Sequence, residues 1–388
     1  MCTGHGDHTA AHNVAGSDKA NGGPRETASA AQASTKLLSI QYLRAIAALM
    51  VVFHHVLNQY DGFLRILPTQ SFAAGVDIFF VISGFVMVFV TATSKRSACQ
   101  FISMRIVRIV PVYWFYTLMA AALLLVAPRL FNANELSLRH LLLSMCFIPH
   151  RFGAAGSLTP LVKQAWTLNY EMFFYLLFAA AIAVSRRWRV LLSIYLLAAS
   201  AITGFLSDPI GLNPWLQNHP SFAFFTHSII LEFAMGMTIA VAFLQGKLRF
   251  LNRKTATFLV IAGCSAIFAN GASGAELRVL CYGIPATSIV VGALVLEVRG
   301  TFGRQSGLLL LGNASYSIYL VHVFVIAVLR WAWNLRHFRA DGVLNLFLFA
   351  TLSLVLAASL GILSYLAIEK PSLKCLRGLL VAGAMSRP

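Results

Sequence analysis

The sequence predicts an all-α fold, a polytopic bundle of about ten transmembrane helices. The first observation is compositional: of 388 residues, 58% are hydrophobic and 11% are charged, whereas a soluble domain has roughly 25% charged residues. The second is that the apolar residues gather into runs, several of them of roughly 20 residues, the length of a helix that crosses the hydrocarbon core. The chain is therefore taken up by membrane spans rather than by several soluble cores.

The net charge of +17 is the one compositional feature that could suggest nucleic acid. In a membrane protein, basic cytoplasmic loops explain such a charge better, so no nucleic-acid partner is expected. The six cysteines show no CxxC pair and no shared spacing. Neither a zinc site nor a disulfide framework is therefore predicted, and no bound metal is expected.

The apolar runs divide the chain into a tail, a membrane domain and a short end segment. Residues 1–36 are small and polar and are predicted to form a disordered cytoplasmic tail. Residues 37–372 form the predicted membrane domain, and 373–388 a cytoplasmic C-terminal tail. Within the membrane domain, 128–164 is predicted as an extracytoplasmic loop with a short interfacial or re-entrant piece. The predicted spans are 38–59, 71–93, 106–127, 165–185, 189–206, 222–244, 255–271, 277–298, 308–330 and 343–367.

Lysine and arginine residues set the predicted orientation, because cytoplasmic loops are enriched in them. When the N-terminus is placed in the cytoplasm, most of the 30 Lys and Arg residues fall on the cytoplasmic side. This asymmetry favours ten spans with both termini in the cytoplasm.

The first span, SIQYLRAIAALMVVFHHVLNQY, carries ionisable residues, which are costly inside a membrane and therefore often functional. On a helix, Arg44 and His55 point within about 20° of each other and lie roughly 16 Å apart along the axis. His54 points about 80° away by the same geometry. Two interpretations stay open. The pair is functional, or Arg44 snorkels to the inner interface while His55 fills the outer one.

The second span, SFAAGVDIFFVISGFVMVF, places a carboxylate near its outer end. Asp77 is expected at the depth of His55, and a carboxylate beside a histidine can fix its tautomer and raise its basicity. Gly75 and Gly84 are expected to allow close helix contact rather than to bind a ligand.

Two arginines mark the start of the third span, in RIVRIVPVYWFY. Arg105 and Arg108 are neighbours on one helix face, and Pro111 is expected in the first turns. Either they follow the positive-inside rule, or they bind the phosphates of a cytoplasmic donor through charge-assisted hydrogen bonds.

Carboxylates are also expected in the fourth and sixth spans. Glu171, in AWTLNYEMFFY, lies about a turn from Trp166 and Tyr170. Because a membrane carboxylate should face a cavity or a partner, Glu171 could act as an acid or base or orient an acceptor hydroxyl. Glu232 either has such a role or forms a structural hydrogen bond between helices.

The ninth span, LGNASYSIYLVHVFVIAVL, places His322 near mid-membrane behind a polar stretch. This residue is either a buried, hydrogen-bonded histidine or part of a substrate site. At the end of the tenth span, Glu369 and Pro371 are expected to terminate the helix at the cytoplasmic side.

Five of these pieces stand in the order typical of one known family. LRAIAALMVVFHH, GVDIFFVISGF, RIVRIVPVYW, AWTLNYEMFFY and SYSIYLVH together resemble the acyltransferase-3 family of integral membrane O-acyltransferases, over residues 37–372. The first piece looks most like the branch that decorates exopolysaccharides. The family's Trp-Ser-Leu motif reads Trp166-Thr167-Leu168 here, a departure that keeps a hydroxyl.

The resemblance implies an enzyme of the bacterial inner membrane. The family moves an acyl group, often acetyl, from cytoplasmic acyl-CoA to a hydroxyl on an extracytoplasmic or lipid-linked polysaccharide. The expected partners are therefore acyl-CoA as co-substrate, with acetyl-CoA the first expectation, a glycan acceptor and the lipid bilayer. No permanently bound cofactor is expected.

The resemblance also assigns roles to the residues of the first three spans. Arg44, Arg105 and Arg108 match motif arginines and are expected to draw the CoA phosphates to the cytoplasmic mouth. His55 matches the motif histidine, and would deprotonate the acceptor hydroxyl or transiently accept the acyl group. Asp77 is expected to assist His55.

Glu171 matches the motif glutamate of the fourth span and is expected to orient the acceptor in catalysis. Trp166, Tyr170 and His322 are expected to contact the substrate. The alternative to an enzyme is a transporter or flippase of a glycan or anionic substrate, since intramembrane charges and many helices also fit that class.

Overall fold

The computed structural model describes residues 37–385, apart from gaps at 65–66, 93, 95, 127–136, 154–157, 208–214, 216–217, 271–277 and 336–341. The predicted tail, 1–36, lies outside the described residues. In chain order the α-helices are α1 (Leu38–Leu57), α2 (Asp61–Leu64), α3 (Gly75–Ala92), α4 (Ala98–Val126), α5 (Leu138–Met145), α6 (Trp166–Val184), α7 (Arg189–Phe205), α8 (Pro220–Phe225), α9 (Leu231–Leu244), α10 (Arg253–Asn270), α11 (Ile284–Val298), α12 (Ser306–Leu335), α13 (Val343–Ser364) and α14 (Lys370–Met385).

The helices confirm a polytopic membrane bundle. Within the described residues, seven helical stretches are long and apolar enough to cross a membrane: Leu38–Leu57, Thr69–Ala92, Ala98–Val126, Lys163–Val184, Val279–Val298, Ser306–Leu335 and Val343–Leu380. Two shorter apolar stretches, Arg189–Phe205 and Ser228–Leu244, match the fifth and sixth predicted spans. Helix α10 occupies the position of the seventh predicted span.

Three predicted boundaries are wrong. Helix α4 begins at Ala98, so Arg105 and Arg108 lie inside a continuous helix, and Pro111 is in its interior rather than its first turns. The predicted span 222–244 is interrupted between α8 and α9.

The last predicted span does not end at Glu369 and Pro371. It passes through a π-helical turn, Tyr365–Glu369, into α14, which occupies most of the predicted C-terminal tail.

Helix α1 packs against α3, α11, α12 and α13. Glu297, at the end of α11, caps its N-terminus, because the carboxylate accepts hydrogen bonds from the backbone N–H groups of Leu38 and Ser39 at 2.6 and 3.1 Å. Close approach of α12 to α1 requires Gly312, where a Cβ atom would lie 2.2 Å from the Gln41 carbonyl oxygen. These contacts fix the helix that carries Arg44 and His55.

Helices α3 and α9 approach each other through glycines. A Cβ atom at Gly84 would lie 2.1 Å from the Phe233 carbonyl oxygen, and one at Gly236 would lie 2.0 Å from that of Val81. At Gly75, a Cβ atom would lie 2.5 Å from the Ala47 carbonyl oxygen. The predicted packing role of Gly75 and Gly84 is therefore confirmed.

Candidate active site

The arginine predicted in the first span faces α12. The Arg44 Nη2 atom donates to Ser315 Oγ at 3.0 Å. Arg108, Glu369 and Glu171 all lie within electrostatic range of its guanidinium. Arg44 is therefore directed into the bundle and joined to charged groups from α4, α6 and the last π-helical turn.

The arginines of α4 belong to the same group. The Arg105 guanidinium lies 5.3 and 5.4 Å from the ring centroids of Phe101 and Tyr175, a cation–π arrangement. Arg108 and Glu171 are within its electrostatic range. We call Arg44, Arg105, Arg108, Glu171 and Glu369 the arginine cluster.

Glu171 is held by two hydroxyl groups. Its Oε1 atom accepts from Ser83 Oγ at 3.2 Å and from the Tyr175 hydroxyl. The carboxylate is also within electrostatic range of Tyr319, which lies on α12 one turn before His322. Glu171 thus lies between the arginine cluster and the part of α12 that carries His322. Its contact with an acceptor stays a prediction.

Glu369 is a member of the cluster that the sequence did not indicate. It is 1% exposed, and its Oε2 atom accepts from Ser317 Oγ at 2.7 Å. A π-helical turn places it there, and such turns are frequent at functional sites. Because Ser315 and Ser317 lie two residues apart on α12, Arg44 and Glu369 are both positioned by the same helix turn.

The arginine cluster carries unsatisfied positive charge. None of Arg44, Arg105 and Arg108 forms an ion pair with a carboxylate in the part of the chain that the structure describes. The Arg105 Nε atom is buried, and the described residues give it no hydrogen-bond partner. The cluster has three arginines and two glutamates, so one positive charge lacks a counter-charge. Because buried charges require one, an anionic ligand is expected to supply it.

Hydrogen bonds distinguish the two histidines of α1. His54 Nδ1 lies 3.0 Å from the Thr69 carbonyl oxygen, and its Nε2 lies 3.1 Å from the Asn58 side-chain amide. Both nitrogens of His54 are thus occupied. His55 Nδ1 lies 2.8 Å from the Val51 carbonyl oxygen. Since a carbonyl only accepts, Nδ1 of His55 carries the proton, and Nε2 keeps its lone pair.

His322 packs directly against His55, with ring centroids 4.9 Å apart. It is fully buried, and neither ring nitrogen has a hydrogen-bond partner among the described residues. Backbone groups of Ile318 and Tyr319 lie close to the ring, although not in ordinary hydrogen-bond geometry. Both interpretations of His322, a structural histidine and a substrate contact, therefore stay predictions.

Tyr319 lies one helical turn before His322 and is fixed by the motif of α6. Its hydroxyl oxygen lies 2.6 Å from Thr167 Oγ1, and the hydroxyl also donates to the Gln164 carbonyl oxygen. The hydroxyl retained at Thr167 thus joins the start of α6 to the helix that carries His322. We call His55, His322 and Tyr319 the histidine site.

The predicted pairing of Asp77 with His55 is wrong. Asp77 Oδ2 lies 2.6 Å from Arg278 Nη2, and the carboxylate is fully buried. Glu232, also fully buried, lies beside it. The Asp77 side chain is directed toward Glu232 of α9 and toward Arg278, which precedes α11. A catalytic role for Asp77 gains no support from these contacts.

Glu232 and Asp77 form a close acidic pair against one arginine. Both Glu232 oxygens and Asp77 Oδ1 are buried and lack a partner of ordinary geometry within the described residues. Two buried carboxylates beside one guanidinium are satisfied when one of them keeps its proton and donates it to the other. The interhelical hydrogen bond considered for Glu232 stays a prediction.

Of the two aromatic residues predicted near the substrate, Tyr170 is engaged in packing. Its hydroxyl donates to the Phe224 carbonyl oxygen at 2.7 Å, and its ring stacks on Phe224 with centroids 4.0 Å apart. Trp166 lies edge-on to Tyr170 at 5.8 Å and is partly exposed. Contact of either residue with a substrate stays a prediction.

Arg278 and Glu369 were the residues missed from the sequence. Both are charged residues in or beside apolar runs, the same signal that indicated Arg44.

In the described residues, no group of three or more His, Cys, Asp or Glu side chains is arranged to hold a metal ion.

Comparison with known proteins shows the family of the chain. The family model for the acyltransferase-3 domain matches residues 37–365. The chain is 37% identical over 309 residues to the exopolysaccharide production protein ExoZ of Rhizobium meliloti, covering 78% of this chain and 90% of that protein. It is 28% identical over 321 residues to the acyltransferase MdmB of Streptomyces mycarofaciens, covering 75% and 79%. No solved structure matches the chain. This chain therefore belongs to the acyltransferase-3 family and is a multi-pass membrane enzyme that transfers acyl groups.

Proposed function

We propose that the enzyme moves an acyl group, most simply acetyl, from cytoplasmic acyl-CoA to a hydroxyl of an extracytoplasmic or lipid-linked polysaccharide. The name of the relative ExoZ, an exopolysaccharide production protein, supports a polysaccharide acceptor. The enzyme would lie in the bacterial inner membrane with both termini in the cytoplasm, as the distribution of Lys and Arg indicates.

One observation carries the proposal. Arg44, which belongs to a cluster of arginines without ion-pair partners in the described residues, lies on the same helix as His55, a histidine with a free lone pair. Arg44 and His55 are roughly 16 Å apart along the axis of α1. A donor with charged phosphates at one end and a thioester at the other would fit this separation. The arginines would bind its phosphates through charge-assisted hydrogen bonds.

His55 would act as the general base. Its Nε2 atom takes the proton of the acceptor hydroxyl, while the hydroxyl oxygen forms a bond to the thioester carbonyl carbon. The carbon–sulfur bond breaks, and the proton on Nε2 passes to the leaving thiolate, so that CoA departs as a thiol. The hydrogen bond from Nδ1 to Val51 holds the ring in the tautomer that this step needs.

The test is the O-acyl content of the cell's surface and secreted polysaccharide, measured by NMR. The strains are wild type, a deletion, and the deletion rescued with either wild type or His55→Ala. We expect a defined O-acetyl signal to disappear in the deletion and to return only with the wild-type gene. An unchanged acetyl profile in the deletion would contradict an acetyl donor or a polysaccharide acceptor.

A second measurement tests the donor. In membranes, Arg108→Gln should raise the KM for acyl-CoA by about tenfold or more, because a hydrogen bond to a charged group contributes about 1.5–3 kcal/mol. The matched control is Arg187→Gln. Arg187 is exposed and lies over Trp188, with 5.3 Å from the guanidinium carbon to the ring centroid. Equal effects of both variants would argue against a specific phosphate site.

A further inference from the structure

A cavity of about 580 Å³ lies away from both parts of the active site. It opens between α5, the turn that follows it, and the start of α8. Its polar lining consists of Arg139, His150, Arg151, Asn218 and Ser221. Its volume falls within the range of roughly 300–1,000 Å³ that is typical of small-molecule sites. On the predicted orientation these segments are extracytoplasmic.

The walls of the cavity are held in place by hydrogen bonds. Ser221 Oγ donates to the Pro149 carbonyl oxygen at 2.6 Å, which joins the two walls. The Tyr113 hydroxyl donates to the Ser144 carbonyl oxygen at 2.9 Å. Phe147, in the turn after α5, has a φ of +59°, a backbone conformation that residues other than glycine rarely adopt. The cavity is therefore preformed rather than opened by a ligand.

The charge of the cavity is positive and comes from arginine. His150 Nδ1 donates to the Ile148 carbonyl oxygen at 2.8 Å, and its Nε2 lies 2.6 Å from His140 Nδ1. Burial first, and His150 second, lower the pKa of His140 to about 4, so His140 is neutral at physiological pH. Arg139 and Arg151 are the arginines of the lining, and among the described residues no carboxylate lines the cavity. Such a lining suits an oxyanion presented among hydroxyl groups.

The same segments lead from the cavity to the histidine site. The Leu161 backbone N–H donates to Ser144 Oγ at 3.0 Å, so the end of the loop is tied to α5. A few residues later, the Gln164 carbonyl oxygen accepts from the hydroxyl of Tyr319, one turn before His322. The other wall continues into Phe224, which stacks on Tyr170. A long acceptor held in the cavity would thus lie against elements that position the histidines.

We propose that this cavity binds an acidic sugar of the acceptor, through an oxyanion held by Arg139 with Arg151. The inference rests on the proposed function and adds a class of substrate: a glycan that carries a carboxylate or a phosphate. Arg139 and Arg151 set acceptor specificity, whereas Asn218 and Ser221 face the neutral part of the sugar.

The experiment is equilibrium binding without an acyl donor. The full chain in phosphatidylcholine nanodiscs is titrated with an acidic oligosaccharide released from the cell's own polysaccharide, and with the same oligosaccharide after carboxyl reduction. Arg139→Ala should weaken binding of the acidic form by about tenfold, and Arg139→Glu should weaken it further. Lys163→Ala, an exposed cation of the same loop that does not line the cavity, should leave binding unchanged.

Competition identifies the source of the oxyanion. If pyrophosphate displaces the oligosaccharide and carboxyl reduction has no effect, the oxyanion is a phosphate, and the proposal holds in that form. Equal binding by wild type and Arg139→Ala would overturn it. So would displacement of the oligosaccharide by phosphatidylglycerol in the nanodisc, because the occupant would then be a lipid. A chain that binds the acidic glycan but never acylates it contradicts the proposed function alone.

Discussion

The imidazole rings of His55 and His322 lie edge to face, with their centroids 4.9 Å apart, although they come from the first and the ninth predicted spans. His55 is oriented by the Val51 carbonyl oxygen, whereas His322 has no hydrogen-bond partner within the described residues. Two imidazolium ions at this distance would repel each other. The two rings are therefore not charged at the same time, and His322 stays neutral while His55 carries the proton of the acceptor.

Substitution of the two histidines of α1 should have unequal effects. His55→Gln retains an amide that can donate to Val51, but it has no lone-pair nitrogen to act as a base. We expect the transfer rate to fall by roughly 10²–10⁴-fold, the usual contribution of a general base. The rate is measured in membranes with acyl-CoA and acceptor, after the amount of folded protein has been matched.

His54→Gln is the control for that measurement. Its amide can replace the hydrogen bonds to Thr69 and Asn58, so we expect the rate to stay within about tenfold of wild type. If His54→Gln loses as much activity as His55→Gln, the assignment of the base to His55 is wrong.

Glu369 is expected to act through Arg44 as a positioning residue. Glu369→Gln removes a negative charge from the arginine cluster but keeps an acceptor for Ser317. We expect the KM for acyl-CoA to change by several-fold while kcat is nearly unchanged. The reason is that Glu369 positions Arg44, which binds the donor and takes no part in the chemical step. Steady-state kinetics over a range of acyl-CoA concentrations measure both constants.

The comparison variant for Glu369 is Ser317→Ala. It removes the hydrogen bond at 2.7 Å and leaves the charge. If the charge matters, Ser317→Ala will have the smaller effect on KM. A fall in kcat with unchanged KM in Glu369→Gln would instead place this carboxylate at the reacting atoms.

Gly84→Ala should reduce the amount of folded enzyme. The added Cβ atom would lie 2.1 Å from the Phe233 carbonyl oxygen, so α3 and α9 would have to separate. Overpacking of this kind costs about 1–3 kcal/mol of unfolding free energy. Thermal stability in detergent, followed by the loss of monodisperse protein, measures the effect. Gly307→Ala is the control, since nothing lies within 4 Å of its Cβ position, and it should leave the melting temperature unchanged or raise it.

Stability should fall with acidification through His140. Its pKa is about 4 in the folded chain, against an ordinary value of 6.5, because burial and His150 disfavour the charged form. Between these values the unfolded chain binds more protons than the folded chain. The contribution of His140 is therefore fully present above about pH 7 and is lost as the pH falls toward 4.

Melting temperatures measured from pH 7.5 to pH 5 test this expectation. His140→Gln, which cannot titrate, should show a smaller decrease over the same range than wild type. Parallel pH profiles for the two proteins would show that acid destabilisation arises elsewhere.

The relation between Arg44 and His55 could be predicted from the sequence. The spacing of a regular helix places both on one face, and the structure confirms it, because both contact α12, through Ser315 and His322. The membrane fold was predicted for the same kind of reason. Apolar length and charge asymmetry are local properties that the bilayer imposes on each segment separately.

Asp77 shows where that reasoning ends. The sequence gives the depth of a residue in a span, but its direction around the helix axis depends on which helix packs there. Asp77 pairs with Arg278 rather than with His55 because α9 and α11 pack on that side of α3. Glycine contacts such as Gly84 with Phe233 allow this packing. Glu369 is a second example. The sequence predicted that Pro371 would end the helix near this residue, but the helix continues through a π-helical turn that directs Glu369 into the bundle.

The sequence by itself therefore determined the family, the membrane-spanning helices and the single-helix pairing of Arg44 with His55, all of which follow from local periodicity and hydrophobicity. The tertiary structure decided which carboxylates join the arginines, which histidine keeps a free lone pair, and where a second cavity forms. These outcomes depend on side chains from helices far apart in the chain. In the low-dielectric interior, each buried polar group takes whichever partner packing brings within reach.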